Sequence, residues 1–268
     1  MIERFDSSPL IELIAEVRWT VDAAMDPGMP FYQGPNAQTS EEFFSRLQTE
    51  LAIVGYGASE RLTPPGFPLM KQAPALRYKK SGSQASSLDH SASTLFQAGA
   101  GLFTINAVQP YKSWEQFRPV VQKGLEALIT AQPPTSGGFD LALRYVDAFK
   151  DHLTGGRSLR EFLAEVMGIQ VQVPEALTNL SKDGSAIIPL IHMVIPLDFG
   201  SLQIQIAEGE LQGEPVFLMD NAVTIAASHE ANVEQMLAAL DEARAVVHKS
   251  FVDLTRPIHA AMGLSEGT

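Results

Sequence analysis

Cysteine is absent from all 268 residues of the sequence. Disulfide bonds, thiolate metal sites and a cysteine nucleophile are therefore excluded. Histidine is also scarce. Its six residues show neither the two-apart spacing nor the i, i+4 spacing that metal-binding motifs favour. The sequence therefore predicts no metal site.

Motifs that bind phosphates or cofactors are missing as well. The chain contains no G-x-x-x-x-G-K-[ST] phosphate loop, no G-x-S-x-G nucleophile elbow and no H-E-x-x-H zinc motif. The pair Gly99 and Gly101 lacks the third glycine and the following helix of a dinucleotide fingerprint, so a turn between strands is expected there. We expect no bound cofactor.

Positive charge is in short supply. The sequence has 19 lysine and arginine residues against 31 aspartate and glutamate residues, a formal net charge of −12. Nucleic acids and anionic membranes are bound by basic surfaces, so this balance argues against both as partners.

Long hydrophobic runs are missing too. The longest nearly apolar stretch, Ala186 to Leu197, holds two prolines and is far shorter than the ~20 residues that span a bilayer. The first twenty residues carry six charged side chains, so they contain no apolar signal core. We therefore expect no membrane partner and a cytoplasmic location.

The most regular pattern lies in the middle of the chain, from Gly138 to Lys150. Apolar and polar residues alternate there, which predicts a strand whose apolar face carries Leu141, Leu143, Tyr145 and Phe149. Asp147 interrupts that face near its end. It marks either a frayed strand end or a site, and the pattern leaves both open.

Elements on either side of this strand follow the same order: strand, helix, three strands, helix. We therefore predict an α+β fold of two β-α-β-β-β-α halves, residues 1–136 and 137–268, in one compact unit. Joining the two halves edge to edge would form antiparallel sheet gripped by helices. The repeated order indicates an internal duplication, and the last helix, from about Glu230 to Thr255, is predicted to be the longest.

Three helices are predicted to begin with capping boxes, which pair Thr39 with Glu42, Ser113 with Gln116 and Ser158 with Glu161. The seventeen residues after Asp22 contain three prolines and two glycines, so a long loop is expected there. The stretch from Ala186 to Leu197 gives conflicting signals. It is apolar on both faces, as a central strand is, whereas Pro189 favours an edge strand or a bulge.

Arginine occurs between an apolar and an aromatic residue on three predicted strands, at Arg18, Arg77 and Arg144. Alternation turns each arginine away from its two neighbours. Three guanidiniums on one face of a sheet would suit a carboxylate or phosphate ligand through forked hydrogen bonds. The alternative is that these arginines are solvated and pair across strands with carboxylates, namely Glu12, Glu16 or Asp147.

Two aromatic residues near the start of the second helix are further binding candidates. Trp114 either walls a pocket together with Tyr111 or staples its helix to the sheet. The candidate ligand site therefore comprises Arg18, Arg77, Arg144, Tyr111 and Trp114.

The chain carries a series of short motifs: SPLIE from Ser8, EVRW from Glu16, PYKSWEQF from Pro110 and LRYVD from Leu143. This series resembles a sporadically distributed prokaryotic protein family of unknown function, whose members have about this length. The last helix, with His248 and Phe251, also looks like that of the family. Family members usually have asparagine where this chain has Asp147. The resemblance covers most of the chain and implies no reaction.

Two functions of different classes fit these observations. The first is a non-catalytic binding or protein-interaction module, in which a groove between sheet and helices takes a small anionic ligand, a peptide or a protein partner. The second is a hydrolase or transferase with dispersed acid and base groups, for which Glu12, Glu16, Asp147 and His248 are available. The sequence leaves the oligomeric state open.

Overall fold

The computed structural model describes residues 4–21, 23–26, 29–35, 37–63, 69–81, 94–109, 111, 113–135, 137–181 and 187–265. Its strands, in chain order, are β1 (Arg4–Phe5), β2 (Leu10–Arg18), β3 (Ala23–Asp26), β4 (Met29–Pro35), β5 (Ala58–Arg61), β6 (Pro74–Lys79), β7 (Thr94–Gly99), β8 (Leu102–Val108), β9 (Asp140–Phe149), β10 (Ile191–Leu197), β11 (Gly200–Leu211), β12 (Glu214–Ile225) and β13 (Leu264–Ser265). Its helices are α1 (Ala37–Ile53), α2 (Trp114–Thr130), α3 (Asp151–Thr154), α4 (Leu159–Glu165), α5 (Glu175–Thr178) and α6 (Val233–Thr255).

Nine strands form one antiparallel sheet in the order β10-β11-β12-β9-β2-β8-β7-β6-β5. Its centre is the pairing of β2 with β9, in which Ala15 lies opposite Leu143. From this junction the order is β8, β7, β6 on one side and β12, β11, β10 on the other. The predicted α+β fold, with an antiparallel sheet and a long last helix, is confirmed. The first half contains strands beyond the predicted β-α-β-β-β-α order, namely β1, β3, β4 and β5. A duplication as its origin stays a prediction.

The long helices pack on one face of this sheet. Helix α6 contacts β9 and β12, α2 contacts β8, and α1 contacts β6. Alternate residues of the central strands point into this layer, so Val17, Phe103, Leu143 and Val223 are completely buried. Helix α2 comes so close to the sheet at Gly124 that an added Cβ would lie 2.7 Å from the Phe96 ring.

The other set of alternate residues points to the opposite face, which we call the open face. Its central strands carry charged, amide, hydroxyl and small side chains: Glu16 and Arg18 on β2, Ala142 and Arg144 on β9, Asp220, Ala222 and Thr224 on β12, and Gln203 and Gln205 on β11. An antiparallel sheet can bury one face and solvate part of the other in this way.

The predicted loop after Asp22 is wrong, because β3 and β4 pair there as a separate two-stranded sheet. Each strand of a two-stranded sheet has a free outer side, where a proline's missing N–H breaks no ladder bond. The prolines of β4 are therefore compatible with a strand. Two further pairings were not predicted: β5 with β6, and β1 with β13.

The position of β10 in the sheet decides between the two predictions for this apolar stretch, a central strand or an edge strand. It is the first strand of the sheet, so it lies at an edge, and it begins at Ile191, after Pro189. The apolar stretch that precedes it, residues 187–190, is not part of the strand.

The capping predictions had three different outcomes. The box of Ser158 and Glu161 is confirmed, with the Ser158 N–H donating to Glu161 Oε2 at 2.8 Å. Ser113 is the N-cap of α2, but its side chain makes no capping bond. The box at Thr39 is wrong, because α1 begins two residues earlier, at Ala37. Helix α6 is capped by Asn232 and ends before Pro257, which belongs to a 3-10 turn.

Candidate functional site

A groove of about 700 Å³ lies on the open face of the sheet, across β2, β9, β12 and β11. Its lining comprises Glu16, Arg18, Asp140, Leu141, Ala142, Arg144, Gln203, Gln205, Asp220, Ala222, Thr224, Ile225 and Ala226. Ligand pockets have volumes of roughly 300–1,000 Å³, so this groove is large enough for a small molecule. We call it the open-face groove.

Two alanines on neighbouring strands contribute to the floor of the groove. Ala222 lies opposite Arg144, and Ala142 lies opposite Thr224 on one side and Glu16 on the other. Side chains of this face stand roughly perpendicular to the sheet, so the short methyl groups leave space between longer neighbours. The register of three strands therefore forms the depression.

Arg144 stands beside the floor as one arm of a forked ion pair. Its Nε donates to Asp220 Oδ1 at 2.7 Å, and its Nη2 donates to Asp220 Oδ2. This hydrogen-bonded carboxylate raises the pKa of Arg144 further above its ordinary value, against the opposing effect of burial. The guanidinium stays charged while 44% of its side-chain surface remains exposed.

Arg18 is held in a similar way at another part of the groove. Its Nε donates to Glu16 Oε1 at 2.5 Å, and its Nη1 donates to Gln72 Oε1 at 2.9 Å. Asp140 lies opposite Arg18 on β9. Asp140 and Arg144 are four residue steps apart along the extended strand, so the backbones of Arg18 and Arg144 are about 14 Å apart.

The three arginines share the open face but do not form one cluster. Arg77 lies on β6, three strands away from Arg18, which is about 14 Å at the usual strand spacing. Its Nη1 lies 3.7 Å from a Glu60 carboxylate oxygen. Each arginine therefore lies beside a carboxylate. Arg77 and Arg144 pair across strands, as the alternative interpretation expected, but with carboxylates that were not predicted. Arg18 pairs with the predicted Glu16, although this residue lies on the same strand. The groove contains Arg18 and Arg144.

The two aromatic candidates lie on the helix side of the sheet, away from the groove. Trp114 Nε1 donates to Asp241 Oδ1 at 2.7 Å, which ties α2 to α6. Tyr111 contacts Phe117 edge-on at 6.3 Å between ring centroids. Burial raises the pKa of Tyr111, and the neighbouring Tyr145 adds to the effect. Through this hydrogen bond Trp114 holds α2 against α6, and neither aromatic side chain lines the open-face groove.

Behind the groove, on the helix side of β9 and β12, two polar side chains are buried. Asp147 is 2% exposed and Asn221 is fully buried. Asp147 Oδ2 and both polar atoms of the Asn221 amide find no hydrogen-bond partner within the described part of the chain. Burial, reinforced by the Asp220 carboxylate, raises the pKa of Asp147 to about 8. Asp147 is thus a buried residue inside the strand, not a frayed end.

The acid and base groups considered for an enzyme lie on both faces of the sheet. Glu16 is on the open face, where Glu12 also accepts a hydrogen bond from Asn106 Nδ2 at 2.8 Å. Asp147 and His248 are on the helix side, on β9 and α6. The sheet therefore separates these groups, and the groove lining contains no histidine.

Sequence reasoning missed several residues of the groove, chiefly Asp220, Thr224 and the two glutamines of β11. Gln203 and Gln205 alternate with Leu202, Ile204 and Ile206, so the pattern shows that they share a face. Which strands lie beside them depends on strand order, and no local pattern encodes that order. The predicted groove between sheet and helices differs from the open-face groove, which lies on the side without the long helices.

No protein-family model, curated protein or solved structure matches this chain. Within the described ranges, no group of three or more histidine, aspartate or glutamate side chains is placed to hold a metal ion. No helix among those residues is both long enough and apolar enough to cross a membrane.

Proposed function

We propose that this protein is a non-catalytic binding protein and that its open-face groove holds a small anionic ligand. The observation that carries the proposal is the pair of arginines, Arg18 and Arg144, which flank a depression of about 700 Å³ and are each fixed by a carboxylate. A guanidinium has five N–H donors, and Asp220 and Glu16 occupy only part of each set.

The charges of the groove limit what the ligand can be. Two arginines face three carboxylates there, those of Glu16, Asp140 and Asp220. A polyanion would meet net repulsion, whereas one carboxylate or phosphate beside an arginine gains charge-assisted hydrogen bonds. The amides of Gln203 and Gln205 suit hydroxyl, amide or carbonyl groups on the remainder of the ligand. A small, singly acidic and otherwise polar molecule fits this arrangement best.

Thermal unfolding in the presence of phosphate, lactate or gluconate tests the proposal. A ligand at a hundred times its dissociation constant stabilises the folded state by about 2.7 kcal/mol, which shifts the melting temperature of a chain of this size by roughly 5–10 °C. The double variant Arg144→Gln/Asp220→Asn removes the ion pair on one side of the groove and leaves neither partner as an unpaired charge. We expect it to lose the shift.

The matched control is Arg157→Gln/Glu165→Gln, which neutralises a directly bonded arginine–carboxylate pair outside the groove. This variant should keep the shift of the wild-type protein. Equal shifts in both double variants would place binding elsewhere and refute the proposal.

A further inference from the structure

The two edge strands of the nine-stranded sheet differ in their protection. β5 has four residues, all exposed, and its charged side chains are engaged in ion pairs: Glu60 with Lys79 and Arg61 with Glu41. Short length and charge are common ways to prevent an edge from pairing with another chain. β5 is therefore protected against pairing with another chain.

β10, at the other end of the sheet, lacks this protection. The segment from Ile187 to Leu197, which we call the β10 edge, contains no lysine, arginine, aspartate or glutamate. Nine large hydrophobic side chains are exposed in the described part of the chain, and five of them lie here: Ile187, Ile188, Leu190, Val194 and Ile195. Such a concentration marks an interaction surface.

The backbone of β10 shows which groups face outward. Pro196 pairs with Ser201 although proline has no N–H, so its nitrogen must point away from β11. Backbone groups alternate along a strand, and the N–H groups of His192 and Val194 therefore point outward as well. Pro189 is an odd number of residues away from Pro196, so in a continued strand its nitrogen would point toward β11. Without an N–H there it could not donate to β11, which explains why the pairing stops at Ile191.

These outward groups allow two copies of the strand to pair with each other. In an antiparallel pairing centred on Met193, His192 exchanges both backbone hydrogen bonds with Val194 of the partner subunit, and the two-fold axis repeats the exchange. Four backbone hydrogen bonds result. Pro196 lies outside this central part, so its missing N–H costs none of them.

Charge and area favour a second copy as the occupant. The chain carries a formal net charge of −12, so most of its surface repels another copy, whereas the β10 edge is without charged residues. Its five exposed hydrophobic side chains offer on the order of 500 Å² on each copy. Complete burial of these side chains on both copies would remove on the order of 1,000 Å² from solvent, the lower bound for a specific interface.

We propose that two copies of this protein associate through antiparallel pairing of their β10 edges, joining their sheets across a two-fold axis. The interface is small, so the dimer dissociates on dilution. Because β5 closes the other edge, assembly stops at two chains.

Sedimentation velocity over concentrations from about 1 μM to about 500 μM tests the proposal. The wild-type protein should pass from the chain mass of 29.1 kDa to twice that mass. Val194→Lys places a charge on the edge, and Val194→Pro removes an outward N–H without touching the β11 ladder. Each should weaken the dimer at least about tenfold. Ile53→Lys, at a side chain 75% exposed on α1, is the matched control and should dimerise like the wild type.

Hydrogen exchange of the unmodified chain gives a second measurement that needs no variant. The amides of His192 and Val194 should become protected as the concentration rises, whereas the inward amide of Met193 is protected throughout. A wild-type protein that stays monomeric would overturn the proposal. An extended segment of another protein would then be the alternative occupant of the β10 edge. Dimers as tight in Val194→Lys as in the wild type, or assemblies larger than two chains, would overturn it as well.

Discussion

Replacing Asp147 by asparagine should stabilise the protein, and the gain should grow as the pH rises. Asp147 is 2% exposed, and burial raises its pKa from the usual 3.8 to about 8. Between these two pKa values the folded protein keeps a proton on Asp147 that the unfolded chain releases. The unfolded state binds fewer protons there, so the free energy of unfolding falls as the pH rises.

The size of the effect follows from the two pKa values. Each pH unit between them lowers the free energy of unfolding by about 1.4 kcal/mol. The loss is therefore up to about 4 kcal/mol at pH 7 and about 2 kcal/mol at pH 5. The loss begins near pH 4 and is complete near pH 8. Asparagine has the same shape and does not ionise, so Asp147→Asn should remove this pH-dependent loss of stability.

Urea unfolding of both proteins at pH 5, 6, 7 and 8 measures the difference directly. Comparing variant with wild type cancels the ionisation of all other groups. The stability difference should increase by about 1.4 kcal/mol per pH unit up to pH 7 and level off above pH 8. The control Asp198→Asn makes the same change at an exposed position and should shift stability by less than about 0.5 kcal/mol at every pH.

Two results would refute this reasoning. A stability difference that does not change with pH would mean that Asp147 has an ordinary pKa in the folded protein. A variant less stable than the wild type at pH 7 would mean that the ionised carboxylate makes favourable contacts, which its buried position between Leu10 and Met219 does not offer.

Three further substitutions test the buried amide of Asn221, the contact of α2 with the sheet, and the capping box of α4. Asn221→Leu should raise the free energy of unfolding by about 1–2 kcal/mol in urea titrations, because the buried amide has no described partner; a loss would contradict this. Gly124→Ala should lower it by about 1–2 kcal/mol although alanine favours helices, because the new methyl group would meet Phe96 at 2.7 Å; a more stable variant would contradict it. Ser158→Ala should cost about 1 kcal/mol in thermal unfolding, because the capping box with Glu161 is lost, and an unchanged melting temperature would count against it.

Periodicity predicted the strands well where one face is buried. The alternation in β9 placed Leu141, Leu143 and Phe149 on the buried face, and the structure buries all three. Such patterns work because a strand exposes alternate residues to core and solvent. They failed for β3 and β4, because the prolines and glycines of this stretch are typical of a loop. The two strands pair with each other, outside the main sheet.

The site was harder to predict than the fold. Alternation correctly turned Arg18, Arg77 and Arg144 away from their neighbours in the chain. Whether they share a face, and how far apart they lie, depends on strand order, which brings β12 rather than β6 beside the groove. Asp220, the partner of Arg144, is 76 residues away in the chain. Long-range pairing of this kind leaves no local pattern, and the buried Asp147 was recognisable only as an interruption of an apolar face.

Native mass spectrometry of the protein as purified tests the open-face groove most directly. The account predicts a bound small molecule on the wild-type chain and on Arg77→Gln, and none on Arg18→Gln/Arg144→Gln, because only the double variant removes both groove arginines. A bound mass that persists in the double variant would contradict the account, as would a wild-type chain that carries no bound mass and shows no thermal shift with any acidic probe.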